Sequence, residues 1–394
     1  LAKSKSSLLK DLLSVPDVQK KSMQIPFMDR LMMGGLPAGT VTLIAGEPGI
    51  GKSTLLFQML ASHHEKALYV STEEALSQIG QRFKKLVHHD AEQMHILAEQ
   101  KIEEILAQMS VLRPDLMVLD SLQMLHSESD FGKTGIKDMM DTLVSEAKRL
   151  QITLFVVGHV TKDGEIAGPK TLEHLVDTVL TFTLAEDSRT RILQIQKNRY
   201  GPSGEVVLLE MTERGLEESK EGDDFWIQAH QEAVYGCAVA PVVVGTRIVP
   251  VEIQALVVNS YFPSPRRSTS GFELNRLLLI LAVLEKRLKL PFSRMDVYLN
   301  VVGGLRLSDP GADLAVAAAL VSAYSEKPID LNLSFLGEIG LTGELRPVSR
   351  QSERLTVMTK QHQKMVVAPM SSDSKSRQNV IARPALESAL NSLI

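Results

Sequence analysis

The chain has 394 residues, 44% of them hydrophobic and 23% charged, proportions of a soluble globular protein with material for two or three domains. Its formal charge of −4 excludes a global basic field, so any polyanion site has to be a local patch. The single cysteine, Cys237, excludes internal disulfides and multi-cysteine zinc sites, and no apolar run reaches the roughly 18–20 residues that span a bilayer.

The opening "LAKSKSSLLKDLLSV" lacks a long apolar stretch and a small-residue cleavage pattern, so no leader peptide is expected. Residues 1–23 are read as an N-terminal segment, and a start on Leu is compatible with a fragment. From 24 to 220, short β-rich runs alternate with amphipathic helical stretches. The predicted strands are "TVTLIAG" (40–46), "ALYVS" (67–71), "LMVLD" (116–120), "LFVVGH" (154–159), "TVLTFTL" (178–184) and "RILQIQ" (191–196). Runs apolar on both faces suit a mainly parallel sheet covered by helices, which is α/β architecture. A composition break at "TERGLEESKEGDDF" (212–225) is acidic and poor in branched apolar residues, and a linker is placed at 221–233. From 234 to 394 the pattern changes to strands joined at Gly245-Thr246, a long helix "ELNRLLLILAVLEKRL", and further strands and helices, an α+β domain.

The stretch "GEPGIGKST" (46–54) fits the phosphate-loop pattern G-x-x-x-x-G-K-[ST] without deviation, between a predicted buried strand and a predicted helix. Gly46, Gly49 and Gly51, with Glu47, Pro48, Ile50 and Thr54 between and after them, let successive backbone N–H groups turn toward phosphate oxygens. Lys52 offers an ammonium to the β and γ phosphates, and Ser53 offers a hydroxyl to Mg²⁺. A nucleoside triphosphate with Mg²⁺ is the expected ligand. Asp120, ending an apolar strand, is the expected carboxylate of the Mg²⁺ shell. In "YVSTEEA", either Glu73 or Glu74 could activate water at the carboxyl edge of the sheet, and acidic helix-start residues would look the same. His159 ends another strand on that edge, as a γ-phosphate sensor or as a structural histidine. The run "KNRYG" (197–201) closes a strand with two cations and an aromatic ring, which on residue grounds alone reads as a solvated surface.

In this order, "GEPGIGKST", "YVSTEEA", "LMVLDS", "VVGHVTKDGEIAGPKTLEHLVDTV" and "KNRYG" resemble the bacterial RadA/Sms family, RecA-superfamily DNA-repair ATPases. "VEIQALV", "PRRSTSGFELNRL", "VVGGLRLSDPGADLAVAAALVSA" and "LGEIGLTGELRPV" resemble that family's Lon-protease-like C-terminal domain, so the likeness covers roughly 24–380. The family's usual four-cysteine zinc motif has no counterpart here, and zinc is not expected in this chain.

The resemblance implies a RecA-like core that binds ATP and Mg²⁺, with Glu73 as the catalytic glutamate. It implies His159 as the link from γ-phosphate to DNA loops at 161–170, with Lys162 and Lys170, and at 126–135, with Phe131 and Lys133. "KNRYG" matches a signature whose cations, Lys197 and Arg199, complete a neighbouring subunit's nucleotide site in a hexameric ring. Partners implied are single-stranded and branched DNA and the RecA recombinase; the function implied is a motor driving branch migration in the cytoplasm. A regulatory ATPase that times a protein–protein contact without moving on DNA is the alternative.

At the positions matching the Lon-type Ser-Lys dyad stand Ala312 and Ser352, so no peptidase is expected, and Asp309 is read as organising a turn. Arg266, Arg267, Arg276, Arg306, Arg346, Arg350 and Arg354 are expected to form a basic DNA-binding face on this domain.

Overall fold

A computed structural model describes residues 19–394 apart from 64, 87–92, 129–134, 160–170, 186–188, 221–224, 228–231, 263, 331, 361–363, 368–378, 392 and 394. The chain divides into two compact units, Leu1–Thr183 with Arg191–Glu218, and Leu184–Thr190 with Ser219–Ile394. Among the described residues no helix is long and apolar enough to cross a membrane.

The first unit opens with a two-stranded antiparallel ribbon, β1 (Lys20–Lys21) and β2 (Leu36–Pro37), flanking helix α1 (Pro26–Leu31). Its main sheet has nine strands. In chain order they are β3 (Val41–Gly46), β4 (Ala67–Ser71), β5 (Met94–Ala98), β6 (Leu116–Asp120), β7 (Thr153–His159), β8 (Thr178–Leu184), β9 (Thr190–Asn198), β10 (Val206–Thr212) and β11 (Gly215–Glu218). In space the order is β11-β10-β9-β8-β3-β7-β6-β4-β5. From β8 to β5 the strands run parallel, with β3 between β7 and β8. Helices α2 (Lys52–Ser62), α3 (Leu76–Leu86), α4 (Ile102–Leu112), α5 (Ile136–Leu150) and α6 (Thr171–Leu175) connect them. The central strands are apolar on both faces because each face has its own core. One gathers Ile44, Phe57, Tyr69, Val118 and Phe155; the other gathers Leu43, Val70, Leu119, Leu143 and Val156.

β9 returns against β8. The Ala185 N–H donates to the Thr190 carbonyl, 2.8 Å, at one end of the pair, while Thr178 and Asn198 side chains meet at 3.5 Å at the other. The acidic stretch read as a break from 212 onward in fact begins inside a hairpin. Thr212 pairs with Gly215 across a two-residue turn, and β11 runs antiparallel to β10 with Leu216 buried. Gly215 takes φ +105°, and a Cβ there would lie 2.6 Å from the Gln58 side chain. Exposed Glu217 and Glu218 charge this sheet edge, so composition alone made it resemble a linker.

The second unit carries a seven-stranded mixed sheet. Its strands in chain order are β12 (Cys237–Val244), β13 (Arg247–Asn259), β14 (Arg267–Ser270), β15 (Met295–Val301), β16 (Leu333–Leu336), β19 (Lys364–Val367) and β20 (Val380–Ala382). The spatial order is β14-β15-β13-β12-β16-β19-β20, and β17 (Glu338–Ile339) pairs separately with β18 (Leu345–Arg346). Four helices accompany them: α7 (Leu274–Leu288), α8 (Asp313–Ser325), α9 (Gln351–Lys360) and α10 (Leu386–Leu390). The Ala-rich α8 is buried on every side from Asp313 to Ala323. An all-round apolar helix belongs inside a fold rather than on it.

Candidate functional site

Parallel register brings the site together. Gly46 of β3 pairs with His159 of β7, and Ser71 of β4 pairs with Asp120 of β6, so these residues end on one edge of the sheet. That carboxyl edge is where open α/β sheets hold ligands.

The phosphate loop leaves β3 at Gly46, where a side chain is impossible: a Cβ would come within 2.4 Å of the Phe182 carbonyl oxygen. It turns through Gly49 (φ +78°) and Gly51 (φ +115°) into α2, which starts at Lys52. Pro48, Ile50, Ser53 and Thr54 complete this turn and first helical residues, with Ile50 buried. The Arg191 guanidinium at the start of β9 donates from Nε to the Ile50 carbonyl, 2.9 Å, tying the loop to the neighbouring strand. Lys52 Nζ donates to the carbonyls of Gly46 (2.7 Å) and Glu47 (2.8 Å), curling the lysine under its own loop. Burial pulls the Lys52 ammonium below its ordinary value, while Asp120, Glu73 and Glu47 pull the other way.

The acids divide by their partners. Tyr69 donates its hydroxyl to Asp120 Oδ2 at 2.6 Å. Ser121, reached through a cis Asp120–Ser121 peptide, donates its hydroxyl to Glu73 Oε1 at 2.6 Å. Thr72 fastens β4 to β6: its N–H donates to the Asp120 carbonyl, its hydroxyl donates to the Ser121 carbonyl, and it accepts from the Ser121 N–H. Glu74 instead forms an ion pair with Arg82 of α3. Glu73 thus stands beside Ser121 and Lys52, and Glu74 is occupied elsewhere. Hydroxyl and carboxylate oxygens, Ser53 and Asp120, are the hard donors that Mg²⁺ takes. The His159 backbone belongs to this edge; its side chain, with Phe131, Lys133, Lys162 and Lys170, lies outside the described residues.

Lys197 and Arg199 occupy the other end of the sheet. β9 starts beside the phosphate loop and ends beside Thr178, which pairs with Thr42 at the start of β3. Lys197 Nζ donates to the Glu173 and Val176 carbonyls, at 2.6 and 2.9 Å, and Arg199 reaches the His174 carbonyl at 3.4 Å. These carbonyls close the short helix α6, whose dipole favours cations. Burial and the adjacent Arg199 pull the Lys197 ammonium down. Asp177, 1% exposed, organises the group. Oδ1 accepts from Arg199 at 3.1 Å and from Lys148 at 2.9 Å, and Oδ2 accepts from the Val41 N–H at 3.1 Å.

The AAA domain family matches residues 5–165, and the family described as subunit ChlI of Mg-chelatase matches residues 277–372. The DNA repair protein RadA of Pseudomonas aeruginosa is 40% identical over 93% of this chain and 83% of its own length. The RadA proteins of Synechocystis sp. and Aquifex aeolicus are 41% and 43% identical, over 87% and 82% of this chain and 72% and 73% of their own. This chain belongs to the RadA family of DNA repair proteins. Among solved structures, a KaiC-like protein of Pyrococcus horikoshii is similar at 19% identity and TM-score 0.44, covering 51% of this chain and 99% of its own. The RadB recombinase is similar at 21% identity and TM-score 0.40, covering 49% and 96%.

In this RadA-family chain Ala312 is a buried methyl and Ser352 is an exposed helix residue. Beside them lies a buried ion pair. Arg354, 0% exposed, donates to both oxygens of Asp309 (2.5 and 3.2 Å) and to the Pro241 and Ser349 carbonyls. Asp309 also accepts from the Gly311 and Val243 N–H groups, so it does organise its turn.

The arginines of the expected face differ in their surroundings and partners. Arg354 is interior, and Arg276 is bonded to buried Asp313. Arg346 pairs with Glu338 and Glu344, and Arg350 pairs with Glu353. Arg267 folds back on the Phe292 and Met295 carbonyls. Arg266 stands over the Phe262 ring, 4.7 Å from its centroid, and Arg306 is exposed.

Tyr69, Thr72, Ser121, Asp177 and Arg191 were not singled out from sequence. Each lies inside a quoted motif or predicted strand, and that membership is the one sequence signal pointing to them.

Proposed function

We propose that this chain is an ATP-dependent DNA motor of recombination and repair, in which copies assemble as a ring and each supplies Lys197 and Arg199 to the next copy's triphosphate. The observation that carries this reading is the placement of the two cations. They lie at the amino edge of β3 and the phosphate loop lies at its carboxyl edge, about 16 Å away for a strand of this length. A side chain cannot cross that distance, so cations serving a phosphate from there serve another copy's.

In this mechanism the loop N–H groups and Lys52 bind the triphosphate. Ser53 and Asp120 would hold Mg²⁺, which would supply charge neutralisation for the triphosphate. Glu73, oriented by Ser121, accepts a proton from the attacking water. The neighbour's Lys197 and Arg199 leave their carbonyls and stabilise charge spreading onto the γ-phosphoryl oxygens. Single-stranded DNA, bound without sequence reading at the loops after β6 and β7, is the substrate that feels the cycle, with branched DNA and a RecA-type recombinase as partners. On the second unit, Arg266 and Arg306 remain as candidate DNA contacts, and the unit serves as a scaffold for assembly and DNA rather than as a peptidase.

The decisive experiment is hydrolysis with and without single-stranded DNA, using Lys52→Ala as the blank. Lys197→Ala should bind ATP yet lose roughly 10³–10⁵ in rate, the range for trans arginines elsewhere. Unchanged DNA-stimulated hydrolysis in that variant refutes the trans role.

A further inference from the structure

We propose that Tyr69 is a positioning residue for magnesium at this site, acting through Asp120. The inference rests on the reading of Asp120 as the carboxylate of the metal shell.

The phenol of β4 donates to Asp120 Oδ2 of the neighbouring β6 at 2.6 Å. A carboxylate on a strand end has free rotation about χ2 unless one oxygen is held, and this bond holds one. The donor is itself immobile. The Tyr69 ring is 1% exposed and lies against Phe57 of α2, centroids 4.2 Å apart at 43°. Phe57 is 0% exposed, and the Arg82 guanidinium covers its other surroundings at 5.9 Å while pairing with Glu74. Through these contacts the helix that begins with Lys52 and Ser53 fixes the ring that fixes the acid. The two halves of the cation's protein shell are therefore held in one geometry by a buried aromatic pair.

The choice of donor also has chemical sense. Lysine or arginine in the same place would neutralise Asp120 and compete with the divalent cation. A phenol orients the carboxylate and leaves its full charge. Outer-sphere partners of metal-binding side chains typically change metal affinity about 10- to 100-fold when removed.

The test uses the full chain as Tyr69→Phe, which keeps the ring contact and removes only the donor. Binding of a fluorescent ADP analogue is titrated with Mg²⁺, alongside the same titration on Asp120→Asn, and melting temperature is recorded. The expected result is a Mg²⁺ half-saturation raised about 10- to 100-fold in Tyr69→Phe, with nucleotide binding in excess EDTA unchanged and kcat largely restored at saturating Mg²⁺. A lowered melting temperature with unmoved half-saturation would mean that Asp120 merely satisfies a buried phenol, and would overturn the proposal. If half-saturation shifts in Asp120→Asn but not in Tyr69→Phe, the tyrosine's role falls and the site reading stands. If it shifts in neither, both fall.

Discussion

At the scale of single residues, environment rather than identity separates roles. Glu73 and Glu74 are adjacent in sequence, yet one accepts from Ser121 beside Lys52 and the other is held by Arg82. Nothing in "STEEA" states that division; it arises because Arg82, a turn or more into the next helix, reaches back to only one of them. Arg354 is another case. As a letter it is a surface cation, and in the fold it is a fully buried partner of Asp309. Its removal leaves a buried carboxylate without its charge partner, so Arg354→Ala should cost about 3–5 kcal/mol in urea-unfolding measurements. Cys237 offers a pH test. Burial and neighbouring Glu252 push its thiol from 9.0 to about 11, so the folded state holds a proton that the unfolded chain releases earlier. Stability should accordingly be full below pH 9.0 and fall as pH rises toward about 11, and Cys237→Ala should lack that component of the fall.

At the scale of elements, the strands apolar on both faces were legible: β4, β6 and β8 fall where their sequence runs predict, and β3, β7 and β9 differ by a residue or two at their ends. β5, β10 and β11 were not. "MHILA" is only half-buried at the sheet edge, and β11 carries glutamates on an exposed rim, so hydrophobicity could not mark those two, whereas the buried run "VVLL" of β10 did carry a hydrophobic signal. The phosphate loop was legible because its chemistry dictates a contiguous pattern. The cluster around Asp177 was not, because it joins residues from β3, α5, α6 and β9 that only the sheet order brings together. The junction of β3 with the loop gives a sharp prediction. Gly46→Ala places a methyl against the Phe182 backbone, so β8 or the loop has to shift. The variant should lose nucleotide binding at least as completely as Lys52→Ala by isothermal titration, with a lowered melting temperature that Lys52→Ala does not share.

At the scale of the whole molecule, the proposed shared site makes defects separable between copies. A Lys52→Ala subunit has an impaired cradle and intact cations, and a Lys197→Ala subunit has the reverse. Mixed together, the two inactive variants should recover part of the DNA-stimulated hydrolysis, read in a steady-state phosphate-release assay. No recovery, with mixed assemblies demonstrated, would mean that the two residues serve one and the same copy. The family relationship spans both units, and the second unit carries the buried Arg354–Asp309 ion pair in its core.

Asp177 gives the proposed ring a wire. One of its oxygens grips the cation pledged to the next subunit, and the other grips the first amide of the strand whose far end opens this subunit's own phosphate loop. In that proposed ring, a neighbour's triphosphate drawing Arg199 away would change the load on that strand at its root. Catalysis in one copy would then be announced to the cradle of the copy that assisted it, the ingredient needed for firing in turn rather than all at once.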